Sequence, residues 1–165
     1  MVAMVAALAI APWSQTLRFC SVPGWHTGAS RTFRSSYGPA PGVASPMEST
    51  AWAARGVRYV DRRSADPPDA TLSRLAPRAV LVFATIYESG RRGGKQIRLR
   101  LARAHRHACC DGTYVAGGMY ALRGVGPAAS YSVIVRVYFG SPPTRAMRAD
   151  AQRAIDHLEL PRPRA

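Results

Sequence analysis

This chain has 165 residues, 47% of them hydrophobic, and a formal net charge of +14. The length fits one domain with a sizeable core, and the composition excludes a wholly disordered chain. The positive charge favours an anionic polymer, such as nucleic acid, or an acidic membrane surface as partner. However, Lys95 is the only lysine among the 23 basic residues, and a GC-rich genome would favour the same arginine bias.

Residues 1–14 form an apolar N-terminal segment that precedes the first charge, Arg18. The run is shorter than the ~20 residues of a membrane helix and matches the core of an export signal. Such a signal normally begins with positive charge, so this one would be incomplete. Two interpretations stay open: an exported or cell-envelope protein, or a cytoplasmic protein with an ordinary apolar strand or helix here.

Residues 15–161 predict a single α+β domain, followed by a short tail at 162–165. Within the domain, residues 26–50 are rich in serine, glycine, proline and alanine, which predicts a loop-rich stretch. The continuous apolar run 79–87 predicts a strand covered on both faces. Residues 96–101 alternate in polarity after a glycine-rich connection, which predicts a second strand that pairs with the first as a hairpin.

Two more strands and a helix follow. Residues 113–122 predict a strand in which Gly117 and Gly118 indicate a bulge or a close backbone approach. Residues 131–139 alternate in polarity, with valines on one face. Beyond Gly140, an apolar stripe at helical spacing comprises Met147, Ala151, Ala154, Ile155 and Leu158. We therefore expect an antiparallel sheet of roughly four to six strands with a C-terminal amphipathic helix packed on one face.

The segment 91–106 contains basic residues and no acidic residue. As a hairpin it would project several arginines from one face, next to a basic tip, and such a patch could hold phosphates or acidic lipid headgroups. The competing interpretation is a solvated face without a ligand. The candidate polyanion-binding residues are Arg91, Arg92, Lys95, Arg98, Arg100, Arg103 and Arg106.

A second candidate site is the segment 105–111, which contains histidines and cysteines. In an extended chain His105, His107 and Cys109 point the same way, and imidazole and thiolate are good ligands for zinc or copper. A zinc site normally uses two separated pairs, however, so a loop that holds one buried or disulfide-bonded cysteine is the alternative. In an oxidising compartment we expect a disulfide between Cys20 and one of Cys109 or Cys110, with Cys110 as the candidate partner.

The sequence contains no catalytic signature for a serine hydrolase, a zinc protease, a phosphate loop or a dinucleotide-binding fold. Acidic residues are too few and too scattered for a carboxylate pair. We therefore expect neither an enzyme nor a cofactor, and predict an accessory or binding domain. The alternatives are a polyanion binder that uses 91–106 and a metal-binding protein that uses 105–111.

Two segments near the ends of the chain carry a family resemblance. The first is Val22-Pro23-Gly24-Trp25 after a strand, and the second is the terminal helix that leads into Leu158-Glu159-Leu160-Pro161. Together they resemble small uncharacterised envelope proteins of actinobacteria with a PsbP-type α+β sandwich. The resemblance implies a non-catalytic binding or accessory role and assigns no site residues.

Overall fold

The computed structural model describes residues 17–34, 47–59, 67–88, 101–108, 112–123 and 130–159. The helices are α1 (Asp69–Leu72) and α2 (Arg145–Asp156). The strands, in chain order, are β1 (Arg18–Phe19), β2 (His26–Arg34), β3 (Met47–Arg55), β4 (Val80–Glu88), β5 (His105–Arg106), β6 (Tyr114–Arg123), β7 (Ser130–Phe139) and β8 (Leu158–Glu159).

The main sheet has six strands in the order β2-β3-β4-β7-β6-β5, and every neighbouring pair is antiparallel. A separate two-stranded sheet pairs β1 with β8. These sheets and the C-terminal helix confirm the predicted α+β class. No helix among the described residues is long and apolar enough to span a membrane.

One face of the main sheet, here called the helix face, carries the larger core. Val133, Val135 and Val137 of β7 are fully buried there, as the alternation along that strand predicts. They belong to the same hydrophobic cluster as Ala151 and Ile155 of α2. The helix begins at a Thr144 cap, whose side-chain oxygen accepts a hydrogen bond from the backbone N–H of Met147 at 3.2 Å.

The opposite face, here called the cleft face, is covered differently. Its hydrophobic cluster joins Leu72 at the end of α1 and Leu75 just after it to Phe83 of β4 and Tyr138 of β7. Helix α1 has only four residues, so it covers much less area than the twelve-residue α2. The part of this face over β6 and β7 contains the cleft described below.

The predicted hairpin of 79–87 with 96–101 is wrong. Strand β4 pairs with β7 along Val80–Glu88 and with β3 along Val80–Ile86, so both of its edges are occupied. A strand that is apolar on both faces is most stable at the sheet centre, where distant strands can flank it. Residues 89–100 lie outside the described residues.

The predicted loop-rich stretch 26–50 also needs correction, since β2 and the start of β3 occupy much of it. Strand pairing here overrides a composition with little strand preference, because the backbone hydrogen bonds of an edge hairpin do not depend on the side chains. Glycine is required at position 28 of β2, because a Cβ there would overlap the indole of Trp52, the residue opposite it in β3. Residues 35–46 lie outside the described residues.

Candidate functional site

A cleft of about 710 Å³ lies on the cleft face, over the paired strands β6 and β7. Its floor consists of the cleft-facing positions Val115 and Gly117 of β6 and Ile134 of β7. One rim is formed by Pro67 and α1, and the other by residues 105–108, which contain β5. The cleft therefore has an apolar floor between two separate segments of chain.

Thr113, which precedes β6, holds the two rims together. Its hydroxyl donates a hydrogen bond to the carbonyl oxygen of Leu72 in α1 at 2.9 Å. Its own carbonyl oxygen accepts one from the backbone N–H of His107 at 2.8 Å. Thr113 is 2% exposed, so both bonds are shielded from water. This residue fixes the distance between α1 and the β5 segment at one end of the cleft.

The polar groups of the cleft come from three different elements. Arg106 on β5 and Arg136 on β7 line it, and Asp69 of α1 lies on the facing rim. Arg106 pairs with Tyr114, which packs on the helix face, so the ladder directs Arg106 away from the floor and Arg136 toward it. Both arginines and Asp69 also interact within the protein. Arg136 therefore places a positive charge with several N–H donors beside the apolar floor. This combination suits a ligand with an acidic group and an apolar body.

Two rings form a wall of the cleft beside these charges. The imidazole of His107 lies 5.7 Å from the ring of Tyr138, centre to centre, at an angle of 58°. Tyr138 is 2% exposed, whereas His107 is half-buried and His105 is exposed. The tilted ring pair adds an aromatic surface that could contact a ligand ring.

Of the predicted polyanion-binding residues, the structure describes Arg103 and Arg106. Arg103 and Arg106 are exposed, but only Arg106 lines the cleft. Residues 101–104 precede β5 and lie against α2, where the Arg148 guanidinium donates to the carbonyl oxygen of Ala102 at 3.0 Å and Gln152 accepts from the N–H of Leu101 at 3.2 Å. Arg91, Arg92, Lys95, Arg98 and Arg100 lie outside the described residues, so a common patch stays a prediction.

The predicted metal ligands are brought together only in part. His105 and His107 both line the cleft, whereas Cys109 lies outside the described residues. Within the described part of the chain, no three His, Cys, Asp or Glu side chains are placed to hold one metal ion. The metal site therefore stays a prediction of the sequence.

Cys20 does not line this cleft. It directly follows β1, next to β8. It is a free thiol, and its Sγ–H donates to Glu159 Oε1 at 2.8 Å. Cys109 and Cys110 lie outside the described residues, so the bridge from Cys20 to Cys110 stays a prediction. The hydrogen bond to Glu159, partial burial and the Glu159 charge raise the pKa of Cys20, and Arg18 opposes them. Cys20 is therefore a weak nucleophile at neutral pH, because the thiolate is the reactive form.

Three residues that line the cleft were not predicted from the sequence as site residues: Arg136, Asp69 and Gly117. Arg136 carried a usable signal, since it is a charged residue within the most clearly alternating strand, on the side away from the valines. The glycine signal at Gly117 indicated a bulge or a close approach. The register of β6 with β7 is continuous from Tyr114 to Arg123, which excludes the bulge and leaves the close approach.

Comparisons of this chain with protein-family models, with curated proteins and with solved structures found no match. The resemblance to actinobacterial envelope proteins therefore stays a prediction.

Proposed function

We propose that this protein is a binding domain whose ligand is a small anion with an apolar body, held in the cleft between α1 and β5. The observation that carries the proposal is the position of Arg136 on the cleft face of β7, beside the apolar floor formed by Val115 and Ile134. A guanidinium group pairs with a carboxylate, sulfonate or phosphate through parallel hydrogen bonds. The floor would remove the apolar part of the same ligand from water.

The size of the cleft supports a small ligand. Its volume of about 710 Å³ lies within the range of roughly 300–1,000 Å³ that is typical of small-molecule sites. Arg136 sits on β7, which is paired on both sides by β4 and β6, so the backbone that carries this arginine is fixed. Such preorganisation lowers the entropy lost on binding.

The test uses two fluorescent probes that share a phenyl-naphthylamine body. 8-Anilino-1-naphthalenesulfonate is an anion, and N-phenyl-1-naphthylamine is its uncharged counterpart. We expect Arg136→Gln to raise the Kd of the sulfonate by about tenfold or more, because a hydrogen bond to a charged group is lost. Arg106→Gln should raise that Kd less, because Arg106 is directed to the other face of the sheet. The Kd of the neutral probe should change little.

Arg145→Gln is the matched control, since Arg145 is an exposed arginine at the start of α2, on the helix face. It removes the same charge and should leave both Kd values unchanged. Equal effects of all three substitutions would mean that net charge alone attracts the sulfonate, and the proposal would be wrong.

Polyanion binding through 91–106 is the other outcome of this experiment. Duplex DNA should not displace the sulfonate if the ligand is a small anion. Displacement by DNA that weakens steeply with added salt would instead indicate release of counterions from many phosphate contacts. That result would replace the proposed function with the polyanion hypothesis.

A further inference from the structure

The floor of the cleft has a gap at Gly117. This residue lies directly opposite Arg136 in the β6–β7 ladder, and the next pair on the same face is Val115 with Tyr138. Same-face positions along a strand are about 6.6 Å apart. Beside Val115 and Arg136, whose side chains rise from the sheet, Gly117 has no side chain and leaves the strand backbone uncovered.

The space at this gap is narrow. A Cβ at position 117 would lie 3.1 Å from the carbonyl oxygen of Val135 and 3.8 Å from Cγ of Arg136. A group resting there would therefore contact both the strand backbone and the aliphatic stem of Arg136. Glycine within a strand is unfavourable relative to alanine, and it is typical of places where a ligand or another backbone approaches closely.

We propose that Gly117 selects a planar aromatic anion, whose ring lies flat on the backbone of β6 with its acidic group at the Arg136 guanidinium. This inference rests on the proposed function and names the ligand class. A planar ring can make face-on van der Waals contact with the uncovered backbone, whereas a puckered or branched body of equal carbon number touches it only through protruding hydrogens. The His107–Tyr138 ring pair supplies an aromatic partner for the edge of such a ring.

The experiment compares two carboxylates with the same carbon skeleton and charge, 2-naphthoate and its saturated decahydro analogue, by displacement of the sulfonate probe. On the unmodified protein we expect 2-naphthoate to bind about threefold to tenfold more tightly, because only the planar ring can lie in the gap. Equal affinities would overturn the inference. Even then, Arg136→Gln should lower the affinity for both carboxylates. Failure of this inference is thereby distinguished from failure of the proposed function.

The Gly117→Ala substitution tests the residue itself. The added methyl group fills the gap, so we expect the affinity for 2-naphthoate to fall about tenfold and the preference over the saturated analogue to disappear. Ala146→Val, which adds methyl groups at an exposed position of α2, is the control and should change neither affinity. An unchanged preference in folded Gly117→Ala would contradict the inference. If that variant does not fold, the comparison on the unmodified protein decides.

Discussion

The two faces of the main sheet are built from the same strands but are covered to different extents. Val135 of β7 points to the helix face and is 0% exposed, whereas its neighbours Ile134 and Arg136 point to the cleft face and are only half-buried. A twelve-residue helix covers the first face, and a four-residue helix contributes to covering the second. One face is thus closed by its own chain, and the other keeps a cleft.

The difference in composition between the faces follows the same division. The helix-face cluster consists of aliphatic residues with two phenylalanines, Phe19 and Phe139, among its buried members. The cleft carries arginine, histidine and aspartate beside its apolar floor. Arg136 is half-buried there, and a charge at such a position costs stability unless it is paired or solvated. We therefore propose that this arginine serves binding rather than packing. This contrast is the physical basis for assigning binding to the cleft face.

Substitution of aspartate at adjacent positions of β7 gives the largest expected contrast. We expect Val135→Asp to destabilise the domain by about 4 kcal/mol or more, because an unpaired charge enters a fully buried cluster. Ile134→Asp should cost only about 1–2 kcal/mol, through lost strand preference and partial burial. Thermal unfolding followed by circular dichroism measures both.

Val135→Asp and Ile134→Asp can also be compared by their affinity for the anionic probe. Ile134→Asp should remain folded and lose affinity for the anionic probe, since it places a negative charge on the cleft floor. Equal melting temperatures for the two variants would show that the two faces are packed alike, and the contrast drawn above would fail.

A smaller effect is expected from the hydroxyl that joins the rims of the cleft. Thr113→Val keeps the shape of the side chain but removes the hydrogen bond to Leu72, so we expect a loss of about 1 kcal/mol in unfolding free energy. Thr144→Val removes the α2 cap, and it should cost a similar amount, about 1 kcal/mol. Chemical denaturation measures both losses.

These two variants differ in what else they should change. Only Thr113→Val should weaken binding of the anionic probe, because only Thr113 connects α1 to the β5 segment. Thr144 lies at the start of α2, away from the cleft. If both variants bound the probe with unchanged affinity, the hydrogen bonds of Thr113 would hold the fold together without shaping the cleft.

Local periodicity predicted the parts of the fold that depend on neighbours in sequence. The alternation in β7 and the apolar stripe of α2 identified both elements and their fully buried residues, because a side chain's face is set by its position within its own element. Leu158, predicted as the last residue of that stripe, lies instead in β8, beyond the end of α2. The structure confirms Val133, Val135 and Val137 on one face of β7 and buries Ala151, Ala154 and Ile155 of α2. These assignments needed no knowledge of distant pairing.

Strand pairing was predicted less well, since it is decided between segments far apart in sequence. Strand β4 pairs with β3 and β7 rather than with the next alternating segment, and nothing within residues 79–101 indicates this. The cleft depends on the same long-range pairing. Gly117 and Arg136 become neighbours only through the β6–β7 register, so sequence reasoning noted each residue singly and missed the site.

The central claim, that the cleft face binds a small apolar anion, is tested most directly by the position of the bound ligand. The protein is titrated with 8-anilino-1-naphthalenesulfonate, and the amide chemical shifts are followed by nuclear magnetic resonance. We expect the amide signals of five cleft residues to move together and to saturate with a single Kd: Arg106, His107, Val115, Gly117 and Arg136. The amide chemical shifts of Ala151, Ala154 and Ile155 in α2 should not change. Saturating shifts centred on α2, or small unsaturable shifts spread over exposed arginines, would contradict the account.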